Sequence, residues 1–114
     1  MKTNIYTCPV CGFVTFVEPP GSYDICGVCN WEDDGVQLAN PACGGGSNSQ
    51  SLIEAQEEAI EMYPLSIKEV KYFKRNPKWR PLTYEEKEKY SKQRDAEYWM
   101  NAAVVSEKES YWNT

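Results

Sequence analysis

Apolar positions change their period twice along the chain. Phe13-Val14-Thr15-Phe16-Val17 is rich in β-branched and aromatic residues, with Phe13, Thr15 and Val17 on one face and Val14 and Phe16 on the other. That alternation predicts a strand. Glu18-Pro19-Pro20-Gly21-Ser22 ends it, since two prolines remove ladder donors and Pro-Gly favours a tight turn. Tyr23-Asp24-Ile25 leads back, so the pattern predicts a hairpin between 13–17 and 23–25. From Leu52 the period lengthens. Leu52, Ala55, Ala59, Met62 and Tyr63 recur at helical spacing behind a capping box, Ser51-x-x-Glu54, and Pro64 stops the run. A helix over 51–63 follows. Ser66-x-x-Glu69 repeats the cap and predicts a short helix ending near Arg75, within a basic helix and connector over 64–83. Thr83-x-x-Glu86 opens a C-terminal helix over 84–105. Its second half carries Ala96, Trp99, Met100, Ala103 and Val104 as a stripe that needs cover, from this protein or a partner. Residues 106–114 read as a frayed end in which Tyr111 and Trp112 are apolar enough to dock. Strand signals followed by helix signals describe a small α+β chain.

With 114 residues the simplest arrangement is one domain, 1–114. The start lacks an apolar leader core, and no run approaches the ~20 apolar residues of a membrane span. A cytoplasmic location is expected. Net charge is -5, divided unevenly: residues 1–63 carry Lys2 alone against nine acids, a sum of -8, and residues 64–114 sum to +3. An acidic first half argues against a general nucleic-acid binder and suits a basic protein partner, although charge alone is also plain solubility. There is no histidine. That removes Ser-His and Cys-His nucleophiles, histidine-ligated metal catalysis and the commonest general base near neutral pH.

Cysteine spacing supplies the strongest chemistry. Cys8-Pro9-Val10-Cys11-Gly12-Phe13 is echoed by Cys26-Gly27-Val28-Cys29-Asn30-Trp31. Each copy has Cys-x-Val-Cys, a residue tolerant of positive φ, then a large aromatic. A Cys-x-x-Cys turn brings two sulfurs to one face, and the Gly or Asn after it lets the backbone fold back past an ion. Two such turns make a tetrahedral site of Cys8, Cys11, Cys26 and Cys29, a zinc ribbon over 6–36. In a reducing compartment such pairs bind metal rather than bridge, and five cysteines leave one over under any full disulfide scheme. Four thiolates also suit iron, so an electron carrier is a lesser alternative. Phe13 and Trp31 are placed to shield the sulfurs. Cys43 has no partner at this spacing and reads as a spare thiol.

Other motifs are weaker. Glu32-Asp33-Asp34 lacks the further oxygen ligands of a Ca²⁺ loop and reads as a solvated or partner-facing turn. Gly44-Gly45-Gly46-Ser47-Asn48 lacks the Gly-Lys-Ser/Thr of a phosphate loop. Glu54, Glu57, Glu58 and Glu61 fill the remaining surface of the first helix, where glutamates are ordinary. From Lys68 to Arg80, six basic residues stand against Glu69, with Tyr72, Phe73 and Trp79 interleaved. This is the one patch able to grip nucleic acid by stacking; otherwise its aromatics are core and its cations offset the acidic half.

These residues carry a resemblance. The first knuckle, then Glu18-Pro19-Pro20-Gly21-Ser22-Tyr23-Asp24-Ile25-Cys26, Trp31-Glu32-Asp33-Asp34-Gly35-Val36-Gln37, Asn40-Pro41 and the glycine-rich 44–48 before Ser51-Leu52 resemble the bacterial cysteine-rich CPCC domain family over about residues 6 to 60. One departure stands out. The family's adjacent cysteine doublet is Val10-Cys11 here, so no role for an extra thiol carries over. The capping boxes above place two or three packed helices behind the knuckles. The resemblance implies a rubredoxin-like zinc knuckle fold and no established enzymatic activity. It further implies similarity to small immunity partners encoded beside secreted bacterial toxins, which bind a toxin domain and block it. An acidic first half fits a basic, nuclease-like toxin, with Glu32, Asp33, Asp34, Glu54, Glu57, Glu58 and Glu61 as candidate contacts.

Overall fold

The computed structural model describes residues 4–100 and 103–113, with the side chain of Trp99 outside that description. Its elements are β1 Tyr6–Thr7, β2 Val14–Phe16, α1 Gly35–Ala39, α2 Leu52–Met62, β3 Glu69–Val70, β4 Phe73–Lys74 and α3 Tyr84–Lys92, with three later 3-10 turns. The strands form two antiparallel pairs, β1 with β2 and β3 with β4. The fold is therefore α+β, as the sequence pattern predicts, although several partners differ.

β2 pairs with β1 instead of with 23–25: Tyr6 faces Phe16 and Thr7 faces Val14, across a bulge. The returning segment pairs with the chain just beyond the second knuckle, through Tyr23 N–H to Asp33 O and Asp33 N–H to Asp24 O, both 2.9 Å. Each knuckle is thus enclosed by its own flanks, because the shorter loop costs less entropy to close. Alternation also fails in 13–17. Phe13, Thr15 and Phe16 are all buried, since both faces of this short ladder are covered.

No helix forms over 64–75. Glu69 faces Lys74 and Val70 faces Phe73, leaving a two-residue turn in which Lys71 (φ 52°) and Tyr72 (φ 71°) are both left-handed. A hairpin of this type takes the primed turn that matches strand twist. Extended chain here lets Phe73, Arg75 and Trp79 reach the knuckles, which a helix would not allow. That tertiary gain overrides the Ser66-x-x-Glu69 cap.

α2 begins as predicted, with both arms of the Ser51–Glu54 capping box formed. Leu52 and Ala59 are buried, but Met62 is 70% exposed, and the fully buried polar residue on this face is Gln56. α3 also keeps its capping box, Thr83 with Glu86, yet ends at a Gln93 cap and buries no residue. The stripe expected on 84–105 is not one helical face: Ala96, Met100 and Ala103 are exposed, and Trp99's side chain lies outside the described residues. Tyr98 instead reaches the Gly44 carbonyl (3.2 Å), and Val104 N–H meets Gly35 O (2.9 Å). Docking on α1 and its loop pulls this segment off the helix axis. Tyr111 and Trp112 do dock, at 6% exposure each. One buried cluster runs from Cys8, Val10 and Phe13 through Leu52, Trp79 and Leu82 to Tyr111 and Trp112. None of the described helices is long and apolar enough to cross a membrane.

Candidate metal centre

The two knuckles fold as copies of one turn. Cys8 N–H donates to Phe13 O and Gly12 N–H to Cys8 O, both 2.9 Å; Cys26 N–H donates to Trp31 O at 2.9 Å and Asn30 N–H to Cys26 O at 3.0 Å. Gly12 (φ 81°) and Asn30 (φ 67°) take the left-handed conformation that the sequence pattern assigns to them. Space as well as φ demands glycine at 12, because an added Cβ would lie 2.3 Å from the Trp79 ring. Gly12→Ala should therefore cost about 3 kcal/mol through backbone strain and displacement of Trp79. A chemical denaturation midpoint equal to that of the parent protein would contradict this packing.

All four sulfurs lie within 4.8 Å of one another. Cys8 Sγ is 3.6 Å from Cys29 Sγ, and Cys11 Sγ is 3.7 Å from Cys26 Sγ. A disulfide needs ~2.05 Å, so these are thiols, and all five cysteines are free. Four sulfurs at about 2.3 Å around a tetrahedral ion stand about 3.8 Å apart. The chain's own spacing matches that figure. The donor set therefore fits one metal ion, held by Cys8, Cys11, Cys26 and Cys29.

Electrostatics point the same way. Burial pushes the Cys8 thiol up, and hydrogen bonding with its neighbours raises it further. Hydrogen bonding to Cys26 raises Cys11. Cys26 moves in the opposite direction, held low by hydrogen bonds from Cys11, Cys29 and Cys8 and, less strongly, from Thr15. The Thr15 hydroxyl donates to Cys26 Sγ at 3.2 Å, and the N–H groups of Val28 and Cys29 approach the same sulfur at 3.4 and 3.5 Å. So many crowded sulfurs cannot all be thiolates in a buried setting without a cation. A divalent ion held by these sulfurs would supply that charge.

The ligands differ in access. Cys8, Cys11 and Cys26 are fully buried, whereas Cys29 is half-buried. Two clefts, about 290 and 150 Å³, both have Cys29 in their walls. In a Cys43→Ser background, timed iodoacetamide labelling of the metal-loaded protein should therefore mark Cys29 first, since reagent reaches exposed thiolates first. Peptide mapping that finds Cys8, Cys11 or Cys26 labelled first would contradict this order.

Other candidates separate. Asp33 is 2% exposed and accepts from the Ser22 hydroxyl (2.7 Å) and N–H (3.2 Å), and burial pushes its carboxyl up. Asp34 is 7% exposed and caps α1, taking N–H bonds from Val36, Gln37 and Ser47. Both fasten loops and are unavailable as partner contacts, because their oxygens are turned onto the chain's own donors. Glu32 is half-buried; Glu54, Glu57, Glu58 and Glu61 are exposed on α2. In the basic stretch Arg75 and Trp79 are buried, and Arg80 bonds Glu86 (2.7 Å) and Tyr111 O (3.0 Å). Lys68, Lys71, Lys74 and Lys78 remain exposed beside a 96% exposed Tyr72.

Two glutamines escaped the sequence reading. Gln37 donates to the carbonyls of Cys43, Asn48 and Gln50 and accepts from Asn48, which fixes the glycine-rich loop as structure. Gln56 joins the first knuckle to Leu82 and Tyr111. Cys43 is buried under that loop, outside the sulfur cluster.

No curated protein matches the sequence. Residues 6–78, which hold both knuckles, α1, α2 and the second hairpin, match the family described as Cysteine-rich CPCC, and the chain belongs to that family.

Proposed function

We propose that this chain is a non-catalytic protein organised by one structural zinc ion and used to bind a protein partner, a basic toxin domain that it neutralises. One observation carries the structural part: four thiols converge, three of them with no exposed surface. A catalytic zinc keeps an open position, whereas four protein thiolates fill all four positions of a tetrahedral ion. Zinc would contribute on the order of 10–16 kcal/mol of apparent binding free energy, coupled to folding. Two knuckles, each inside its own short pairing, support a rubredoxin-like ribbon. Charge supports the partner class: the half summing to -8 includes Glu54, Glu57, Glu58 and Glu61, exposed along α2. Opposite charge on a toxin would speed encounter and fix register.

Two measurements test this reading. Elemental analysis of purified chain should give one zinc per molecule and no visible absorbance; a red preparation means iron and an electron carrier instead. A basic protein encoded next to this chain should bind it, and coexpression should protect cells from that neighbour. A zinc-loaded chain that neither binds nor protects refutes the partner assignment while leaving the metal intact.

The exposed lysines around Tyr72 favour a second reading, a nucleic-acid surface on the β3–β4 hairpin. A salt-dependent shift of labelled RNA, lost when Lys68, Lys71, Lys74 and Lys78 become alanine, would select it. No such shift at low salt removes it.

A further inference from the structure

We propose that residues 67–79 form a clasp that stays closed over the two knuckles only while a metal ion holds them, with Arg75 as the positive charge that answers the metal–thiolate cluster. This rests on the metal reading above.

The clasp stands on both knuckles at once. Phe73 packs against Gly27, where an added Cβ would lie 2.9 Å from its ring, and Trp79 packs against Gly12 in the same manner. Asn76 N–H donates to Gly12 O (2.8 Å), Lys71 Nζ reaches Gly27 O (3.4 Å), and Arg75 bridges Phe13 as an antiparallel pair. Among the described residues, no main-chain hydrogen bond joins one knuckle directly to the other. What joins them is the sulfur cluster, with the Thr15 hydroxyl on Cys26 Sγ beside it. A clasp seated on Gly12 at one end and Gly27 at the other therefore depends on what those sulfurs hold.

Arg75 supplies the second link. It is 7% exposed, and four of its five N–H groups go to carbonyls: Nε to Cys11 (2.9 Å), one terminal nitrogen to Pro64 (2.7 Å) and Ile67 (2.9 Å), the other to Tyr63 (2.9 Å). Its guanidinium carbon stands 4.4 Å from the centre of the Phe13 ring and 5.6 Å from that of Trp79. Among the described residues no carboxylate pairs with it. A buried cation without a counter-charge costs several kcal/mol, and guanidinium does not escape by deprotonating. Cys11, whose carbonyl it holds, belongs to the cluster. Four thiolates around a divalent ion carry a net charge of about -2, by the count of ligand and metal charges. Arg75 and the cluster neutralise one another across the first knuckle. Without the ion nothing holds the four sulfurs together, and the clasp loses the spacing between its seats on Gly12 and Gly27.

The test compares zinc affinity and backbone hydrogen exchange in the full chain for wild type, Arg75→Gln and Arg75→Lys. Neither variant reproduces the four-carbonyl fork, but lysine keeps the charge. Zinc affinity should fall about tenfold or more in Arg75→Gln and clearly less in Arg75→Lys. At saturating zinc, amides of residues 67–79 should exchange faster in Arg75→Gln, while those of α3 stay unchanged. The thiolate-to-cobalt absorption of the Co²⁺ form should also shift in Arg75→Gln and not in Arg75→Lys. Equal losses in both variants would mean that only the fork matters and would overturn the counter-charge. Wild-type affinity and exchange in Arg75→Gln would overturn the clasp. A wild-type chain that binds no zinc or cobalt would instead overturn the metal reading on which both stand.

Discussion

Cys26→Ser is expected to abolish stoichiometric metal binding and to leave residues 5–79 without a cooperative melt. Cys26 is the sulfur on which the site converges, taking hydrogen bonds from the Thr15 hydroxyl and two knuckle N–H groups. Serine oxygen is a poor zinc ligand beside three thiolates, so most of the apparent metal-binding energy, on the order of 10 kcal/mol, is forfeited. That is comparable with the whole stability of a small domain, about 5–15 kcal/mol. The consequence should be largest here because the cysteines belong to the same buried cluster as Phe13, Leu52 and Trp79. Elemental analysis and calorimetry check it. A variant that still holds one ion per chain and melts within a few degrees of wild type would refute the four-ligand assignment.

Gln56→Leu should also be costly, a loss of about 3 kcal/mol with metal content preserved. The Gln56 amide is fully buried and donates to Pro9 O (3.1 Å) and the Tyr111 hydroxyl oxygen (2.7 Å), while its carbonyl takes the Leu82 N–H (2.9 Å). Leucine fills the space but leaves the Leu82 N–H without a partner in an apolar setting. Tyr111 keeps its own bond to Pro9 O (2.9 Å) and loses the other. For a chain of this size the melting temperature should fall by roughly 10–15 °C. Tyr111 adds an alkaline signature. Burial holds its phenol well above the usual value near 10, so the stabilisation it gives is complete below that pH and is lost progressively as pH rises past it. Gln56→Leu removes a donor that favours the phenolate, so it should push the phenol further up and extend that loss to higher pH. A melting temperature unchanged within 3 °C would show that this polar junction contributes nothing.

What the sequence made legible follows from how local each feature is. The knuckles were readable because Cys-x-Val-Cys and the positive-φ residue after it define a turn within six positions, and Gly12 and Asn30 adopt that turn. The caps at Ser51 and Thr83 were readable for the same reason. Strand partners were not, since pairing depends on which segments a closed knuckle brings together. The basic helix failed where a local cap competed with a distant seat for Phe73 and Trp79 on Gly27 and Gly12. In the sequence Arg75 is one of six cations in a basic patch, because charge alone says nothing about the carbonyls of Tyr63, Pro64, Ile67 and Cys11 that wait for it. Asp33 and Asp34 looked like a wet turn and are inner fasteners, a distinction that resides in Ser22 and Ser47.

The bond from Tyr111 to the carbonyl of Pro9 spans 102 positions. Contacts that distant are late events in folding. During synthesis, a ribbon that has left the ribosome can take up its ion long before Tyr111 has been polymerised. In that interval Trp79 and Leu82 lack the apolar lid that Tyr111 and Trp112 provide, and such surfaces are where nascent chains meet chaperones or one another. Capture of the proposed zinc ion followed by sealing of the core would divide maturation into two stages, and growth in zinc-poor medium should then lower the soluble yield through the first of them.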